Sequence, residues 1–198
     1  MFQLPKRKYS ALIFDCDGTL VDSMPLHHRA WCQALRAHGA EFEFSWSLFT
    51  SRAGMGVLET VEALNAQFGL SMDPHAVARD HSEGYARLLP ELQPILSVVE
   101  FARGQRGTAM SVASGGDREV VEGALRVCGI DTWFQPVLCR QDVERGKPDP
   151  EMFLKCAELM GVPPEQCLVF EDGELGLVAA RAAGMGWVAI DGSLRCSD

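Results

Sequence analysis

The sequence predicts an α/β protein: a doubly wound parallel sheet of Rossmann-like type carrying an inserted α-helical cap. Three observations lead there. Short apolar runs alternate with helical patterns through the second half of the chain, which implies βαβ units and a sheet covered on both faces. The region from Asp22 to Gln93 carries helical periodicity and nothing that reads as a strand. Polar, chemistry-bearing residues end the apolar runs, where an open parallel sheet binds its ligands.

Ala11-Leu12-Ile13-Phe14 reads as the first buried strand. After it, Ala30, Trp31, Ala34 and Leu35 form one helical stripe, with Gly39 as its stop. Leu58, Val61, Ala63, Leu64 and Phe68 form a second, closed by Gly69. Asp73-Pro74 is an N-cap followed by proline at the first helical position, opening a helix towards Leu89. Residues 108–113 then read as a strand, followed by the Gly115-Gly116 turn and a helix bearing Val120, Val121, Ala124, Leu125 and Cys128, stopped by Gly129. A short strand is expected over 135–139. Asp149-Pro150 opens a helix with Phe153, Cys156, Ala157 and Met160 on one face and Gly161 at its end. Residues 167–170 read as a strand, Leu175, Val178, Ala179 and Ala182 as a helix ending at Gly184, and residues 187–190 as the last strand. The expected domains are a Rossmann-like core of residues 1–20 and 94–198 and a helical cap of residues 21–93.

Composition narrows the function classes. At 198 residues, 47% hydrophobic and 23% charged, the chain has the make-up of a globular protein with a real core. A net charge of -9 argues against nucleic acid as the main partner, which calls for a basic face. No apolar run is long enough to span a membrane, and the N-terminal Lys6-Arg7-Lys8 lacks the apolar segment of a secretory signal; it reads as a solvated tail ahead of the first strand. The seven cysteines (Cys16, Cys32, Cys128, Cys139, Cys156, Cys167 and Cys196) are scattered, with no CxxC pair. That favours reduced core thiols over disulfides or a zinc site, and the expectation is a cytoplasmic protein. The expected assembly is a monomer or a small homo-oligomer.

Four clusters end successive apolar runs. Asp15-Cys16-Asp17-Gly18-Thr19 brings two carboxylates together, and like charges at about 4 Å repel by roughly 1–4 kcal/mol. Such a pair is tolerated where a cation or a proton-transfer task needs both. Ser114-Gly115-Gly116 offers a hydroxyl and backbone N–H groups to an anion. Gly146-Lys147-Pro148-Asp149-Pro150 sets a lone ammonium in a proline-bounded loop. Glu171-Asp172 ends the fourth run and is followed by Gly173. Taken singly, these are a turn, a surface lysine and a helix cap; their joint occurrence in this order carries the signal.

That order resembles the haloacid dehalogenase-like (HAD) hydrolase superfamily, in its branch with a helical cap, which includes β-phosphoglucomutase and small sugar phosphatases. The resemblance covers nearly the whole chain, including the Glu-Asp-Gly-x-x-Gly-x-x-Ala-Ala-x-Ala-x-Gly run at 171–184. It implies Asp15 as a nucleophile that forms an aspartyl-phosphate and Asp17 as general acid and base. It further implies Mg²⁺ held by Asp15, Asp172 and the Asp17 carbonyl, with Glu171 either a ligand or an orienting group. Ser114, Gly115 and Lys147 would hold the phosphoryl group. Thr19 adds a hydroxyl near the site or caps the turn. Where the family often has Ser or Thr after Glu-Asp, this chain has Gly173, one hydroxyl fewer beside the metal shell.

The cap narrows the reaction. Residues 22–93 contain no lysine. The family's phosphonate-cleaving members need a cap lysine for a Schiff base and its mutases use one at the sugar, so the lysine-free cap favours hydrolysis. Asp17 disfavours dehalogenation. His27 occupies the position after Asp22-Ser23 where the mutases carry a histidine, and Arg52 is a candidate contact for a polar or anionic substrate. Gly54-Met55-Gly56 reads as a cap turn rather than a phosphate loop. The function expected from the resemblance is a Mg²⁺-dependent phosphatase on a small phosphorylated metabolite resembling a sugar phosphate. The alternatives are a sugar phosphomutase and a non-catalytic phosphate- or metal-binding regulator.

Overall fold

The computed structural model describes residues 4–52 and 55–191. Gly54 and Cys196 lie outside the described residues. The chain divides into two compact units, with the divisions after Ser23 and after Glu91. These divisions differ from the sequence-based bounds at 20/21 and 93/94. Val21 is fully buried and bridges to Asp17 and to Pro94, and the Ile95 N–H bonds the Leu20 carbonyl at 2.9 Å, so these connecting residues pair within the core unit.

The core unit is built on five parallel strands, β1 (Ala11–Phe14), β2 (Ala109–Ala113), β3 (Val137–Leu138), β4 (Cys167–Glu171) and β5 (Gly186–Ala189). Their order in the sheet is β3-β2-β1-β4-β5. β1 is central, with Phe14 in register with Val112 on one side and Phe170 on the other. Successive residues of a strand point to opposite faces, and both faces are covered. Ala11 and Ile13 pack with Val169 against α7 (Glu151–Met160) and α8 (Glu174–Ala182), through Met152, Phe153, Cys156, Ala179 and Ala180. On the other face Phe14 stacks on Phe170 at 4.6 Å and meets Phe134 edge-on at 5.6 Å. Phe101 of α5 (Leu96–Gly104) extends that aromatic layer to Phe170. A strand buried on both faces has no polar side to alternate with, which is why β1 and β4 read as unbroken apolar runs. Burying one such large side chain contributes roughly 1.5–3 kcal/mol.

The cap unit contains α1 (Met24–Ala37), α2 (Trp46–Thr50), α3 (Val57–Phe68) and α4 (Pro74–Leu88). Trp31, Ala34 and Leu35 of α1 and Val61 and Leu64 of α3 share one core with Phe44, Phe49, Met72 and Val77, and α4 packs against both helices. Asp73 caps α4, its carboxylate accepting from the His75 N–H at 2.9 Å with Pro74 in the first turn. Among the described residues of the cap no strand forms. The sixth helix of the protein, α6 (Arg118–Val127), belongs to the core and follows the Gly115-Gly116 turn.

Two elements depart from the sequence reading. β3 spans two residues rather than the five of 135–139. Pro136 has no N–H to donate; its carbonyl still accepts from Val112 at 3.0 Å, at the edge of the sheet. α5 was not anticipated: its N-cap, Ile95, has no side chain able to mark the start. Among the described residues no helix is long and apolar enough to cross a membrane.

Candidate active site

The sheet order places the topological switch at β1. The chain runs outwards to β2 and β3 on one side, then returns to add β4 and β5 on the other. In such a sheet ligands bind beyond the carboxyl ends of the strands flanking the switch. Asp15 directly follows β1, held by its N–H to the Phe170 carbonyl at 2.9 Å, and Glu171 ends β4. After Asp15 the backbone folds back on itself, with the Leu20 and Val21 N–H groups bonding the Cys16 carbonyl at 2.9 and 3.0 Å. Gly18 turns at φ 83°, in the left-handed region. A Cβ there would collide with the Asp172 carboxylate, so the glycine also makes room for that side chain.

Lys147 binds this cluster together. Its Nζ donates to Asp15 Oδ1 at 2.6 Å and to Glu171 Oε2 at 2.6 Å. The three side chains are 12%, 8% and 5% exposed respectively. The loop carrying Lys147 is tied down from both ends. Glu151 at the start of α7 accepts from the Glu144 and Arg145 N–H groups at 2.8 and 3.0 Å, and Asp149 accepts from the Glu151 N–H at 3.0 Å. Lys147 Nζ also lies over the Phe153 ring, 5.3 Å from its centre. Glu171 is fixed in turn by the Gly173 N–H, which donates to its Oε1 at 2.9 Å. Gly176 in α8 lies so close that a Cβ would overlap the Glu171 carboxylate.

The electrostatics follow from this packing. Burial pushes the Asp15 carboxyl well above its ordinary range; Glu171 adds to the rise, and Lys147 opposes it. Burial pulls the Lys147 ammonium down, but the Asp15 and Glu171 carboxylates outweigh that, so it stands above its ordinary value and stays charged. Asp15, Glu171 and Asp172 each bring a carboxylate oxygen within 4.8 Å of the other two. Three carboxylates thus face one ammonium. A hard, oxygen-only donor set with a surplus of negative charge fits a divalent cation such as Mg²⁺.

The remaining strand-end residues lie around this cluster. Thr19 Oγ1 donates to Asp172 Oδ1 at 3.4 Å. Ser114 follows β2, where its N–H bonds the Leu138 carbonyl at 2.9 Å and its hydroxyl accepts from the Gly116 N–H at 3.0 Å. A Cβ on Gly116 would stand 3.3 Å from Ser114 Oγ and 3.5 Å from Asp17 Oδ2, so the Asp17 carboxylate and the Ser114 hydroxyl flank one glycine. Gly115 is exposed, with open space where a side chain would stand.

His27 and Arg52 belong to the cap unit. The His27 ring stacks on Tyr85 at 3.9 Å and lies 5.5 Å from the ring of His81. An Arg52 Nη2 hydrogen bond goes to Gln67 Oε1. Sequence reasoning missed His81, which is buried in the same unit, and gave no role to Gly176, the second glycine of the run at 171–184. His81 had a signal: it sits at i+4 from Val77 and i−4 from Tyr85 on the apolar face of α4. Gly176 was marked by that run, but not the need for space beside the Glu171 carboxylate.

The sequence pattern of the haloacid dehalogenase-like hydrolases matches residues 9–184, most of the chain and every strand-end cluster. The chain belongs to the haloacid dehalogenase-like hydrolases. It is an enzyme of that family, and its named relatives include phosphatases. It is 36% identical over 186 residues to the Escherichia coli fructose-1-phosphate phosphatase YqaB, an alignment covering 90% of this chain and 94% of that relative. It is 30% identical over 179 residues to a phosphorylated carbohydrates phosphatase of Thermotoga maritima, covering 88% and 82% of the two chains. Among solved structures, a conserved haloacid dehalogenase-like protein from Agrobacterium tumefaciens superposes with a TM-score of 0.78 at 26% identity, covering 90% of this chain and 81% of that one.

Proposed function

We propose that this enzyme hydrolyses small phosphorylated carbohydrates through an aspartyl-phosphate on Asp15, with Mg²⁺ as its metal. The reading is carried by one observation: a buried lysine held at 2.6 Å from the carboxylate that ends the central strand, beside two further carboxylates. The substrate class comes from the named activities of the two phosphatase relatives.

In this mechanism an Asp15 carboxylate oxygen attacks phosphorus. The bond from phosphorus to the sugar oxygen breaks, and Asp17 gives its proton to the leaving alkoxide. Asp17 then takes a proton from water as that water attacks the aspartyl-phosphate, releasing inorganic phosphate and restoring Asp15. Lys147 and the Ser114 hydroxyl donate to phosphoryl oxygens and stabilise the charge of the transition state, with the Gly115 backbone beside them. Glu171 acts here as a positioning group, since both of its oxygens are engaged, by Lys147 and by the Gly173 N–H. Asp15, Asp172 and the Asp17 carbonyl would hold Mg²⁺, which supplies neutralising charge to the phosphoryl group. His27 and Arg52 are assigned to the substrate's polar groups.

The lysine-free stretch 22–93 supports hydrolysis over transfer to a second sugar hydroxyl. The free state of all six described cysteines supports a reducing, cytoplasmic setting. Phosphate release from fructose 1-phosphate, hexitol phosphates and phosphoglycolate, each with and without Mg²⁺, tests the reading. Turnover of the carbohydrate phosphates only with Mg²⁺ is expected; inactivity on the whole panel overturns it.

A further inference from the structure

His28 and Cys32 stand one turn apart on α1, at i and i+4, so their side chains meet on one face of the helix. Cys32 Sγ lies 3.6 Å from His28 Nε2. Both atoms converge on one backbone oxygen, the Phe44 carbonyl, 2.7 Å from the imidazole nitrogen and 3.6 Å from the sulfur. A carbonyl oxygen only accepts, so Nε2 carries its proton here and the thiol points its own at the same oxygen. The rings of Trp46 and Phe49 flank the imidazole, with centres at 5.3 and 5.4 Å.

One nitrogen, one sulfur and one oxygen thus form a small triangle. It borders a cavity of about 210 Å³ lined by His28, Cys32, Phe44, Glu43, Ser45 and Arg36, among others. A tetrahedral Zn²⁺ ion holds sulfur at about 2.3 Å and imidazole nitrogen at about 2.0–2.1 Å, which sets those two donors roughly 3.5 Å apart. The sulfur-to-nitrogen edge already has that length. The nitrogen-to-oxygen edge is shorter and widens when an ion takes the place of the proton it holds. The Glu43 carboxylate and the Ser45 hydroxyl border the cavity as oxygen donors for a fourth position, directly or through water. The Arg36 guanidinium opposes a further positive charge, and the Glu43 carboxylate offsets it. Both charges act on the Cys32 thiol, which burial pushes up, so it is a protonated thiol rather than a reactive thiolate.

We propose that His28, Cys32 and the Phe44 carbonyl form a second metal site, in the cap, for a borderline-soft divalent ion such as Zn²⁺. The donor set separates it from the carboxylate cluster of the core. Mg²⁺ takes oxygen ligands, whereas thiolate and imidazole select softer ions. On binding, the S–H bond of Cys32 breaks and the sulfur–metal bond forms, with the proton going to solvent. The imidazole proton moves from Nε2 to Nδ1, which frees the Nε2 lone pair. One proton is released per ion, and nothing is oxidised or reduced. The ion ties the loop after α1 to the helix itself. The CxxC pair that ordinarily marks zinc in a sequence plays no part, because the donors come from one helical turn and a loop carbonyl. The site is independent of the phosphatase reading.

The test is a Co²⁺ titration of the full chain under reducing conditions, with excess Mg²⁺ present to occupy the carboxylate cluster. Co²⁺ stands in for Zn²⁺, and a thiolate bound to it gives a near-ultraviolet charge-transfer band that oxygen ligands do not. The expected result is a band that saturates at one ion per chain, bleaches when Zn²⁺ is added and is absent in Cys32→Ser. His28→Gln should weaken the affinity by at least about 10–100-fold, the cost of disturbing even an outer partner of a metal ligand. Zn²⁺ should raise the Tm of the parent more than that of Cys32→Ser. Folding of both variants is checked by circular dichroism. Absence of the charge-transfer band at saturating Co²⁺, or a band unchanged in folded Cys32→Ser, overturns the proposal.

Discussion

Lys147 Nζ lies 2.6 Å from Asp15 Oδ1, although the two residues are separated by most of the chain. The second hydrogen bond of the same ammonium, to Glu171, makes it the counter-charge for two buried carboxylates. Removing one partner of such a group leaves the other charges uncompensated, at a cost of roughly 3–5 kcal/mol. Lys147→Met should therefore lower the stability of the metal-free protein by that order, read from urea unfolding. It should also lower kcat by about 10²–10³-fold, the scale of a lost transition-state charge contact. Unchanged kcat would remove Lys147 from the site.

Gly176→Ala should act on the same lysine from a distance. The new methyl overlaps the Glu171 carboxylate, so Glu171 must swing away from Lys147. Overpacking of this kind costs roughly 1–3 kcal/mol, more than the gain in helix propensity of about 1 kcal/mol from replacing glycine. The expected outcome is a lower Tm and a reduced kcat with KM little changed. An alanine variant as active and as stable as the parent would show that Glu171 has no positioning role.

Divalent metal should stabilise the fold as well as support activity. Asp15, Glu171 and Asp172 set three carboxylates against the single Lys147 ammonium, a surplus of negative charge that a metal ion would offset. Adding Mg²⁺ to chelator-treated protein should raise Tm in a concentration-dependent way, and Asp172→Asn should remove most of that rise. A Tm indifferent to Mg²⁺ in the parent protein would argue against a metal at this cluster.

His81 gives a pH signature to stability. Its pKa is about 6.5 when unfolded and about 3 when folded. Between those values the unfolded chain binds a proton that the folded chain does not, so stability rises with pH. It is fully present above pH 6.5 and is lost as pH falls towards 3, at up to about 1.4 kcal/mol per unit. The His27 ring lies 5.5 Å away and Arg52 lines a cap cavity together with His81, so the informative quantity is the difference between the parent and His81→Phe. The denaturation midpoints of the two at pH 7 and pH 5 should diverge, the parent losing more. Parallel pH dependences would mean that His81 becomes charged without penalty.

The core was legible because its strands are buried on both faces and its helices carry explicit ends. Ala11–Phe14 shows only apolar side chains, and α7 announces its start with Asp149-Pro150 and its end with Gly161, which adopts φ 66°. The strand-end residues were legible because Asp15, Ser114 and Glu171 each interrupt an apolar run. α5 was not legible, since Ile95 offers no capping side chain and Leu96 is exposed. The pairing of Glu171 with Lys147 was not legible either, because it depends on a distance across the sheet rather than on spacing in the chain. Nor was the role of Gly176, which is to have no side chain where Glu171 needs the space.

The most direct test of Asp15 as the nucleophile is the ratio of kcat/KM between the parent enzyme and Asp15→Asn, for phosphate release from fructose 1-phosphate in Mg²⁺. The amide keeps the shape of the side chain but cannot attack phosphorus. The parent should turn over and the variant should lose at least about 10³-fold, the scale seen when an acting nucleophile is removed. An Asp15→Asn enzyme within tenfold of the parent would contradict the aspartyl-phosphate mechanism.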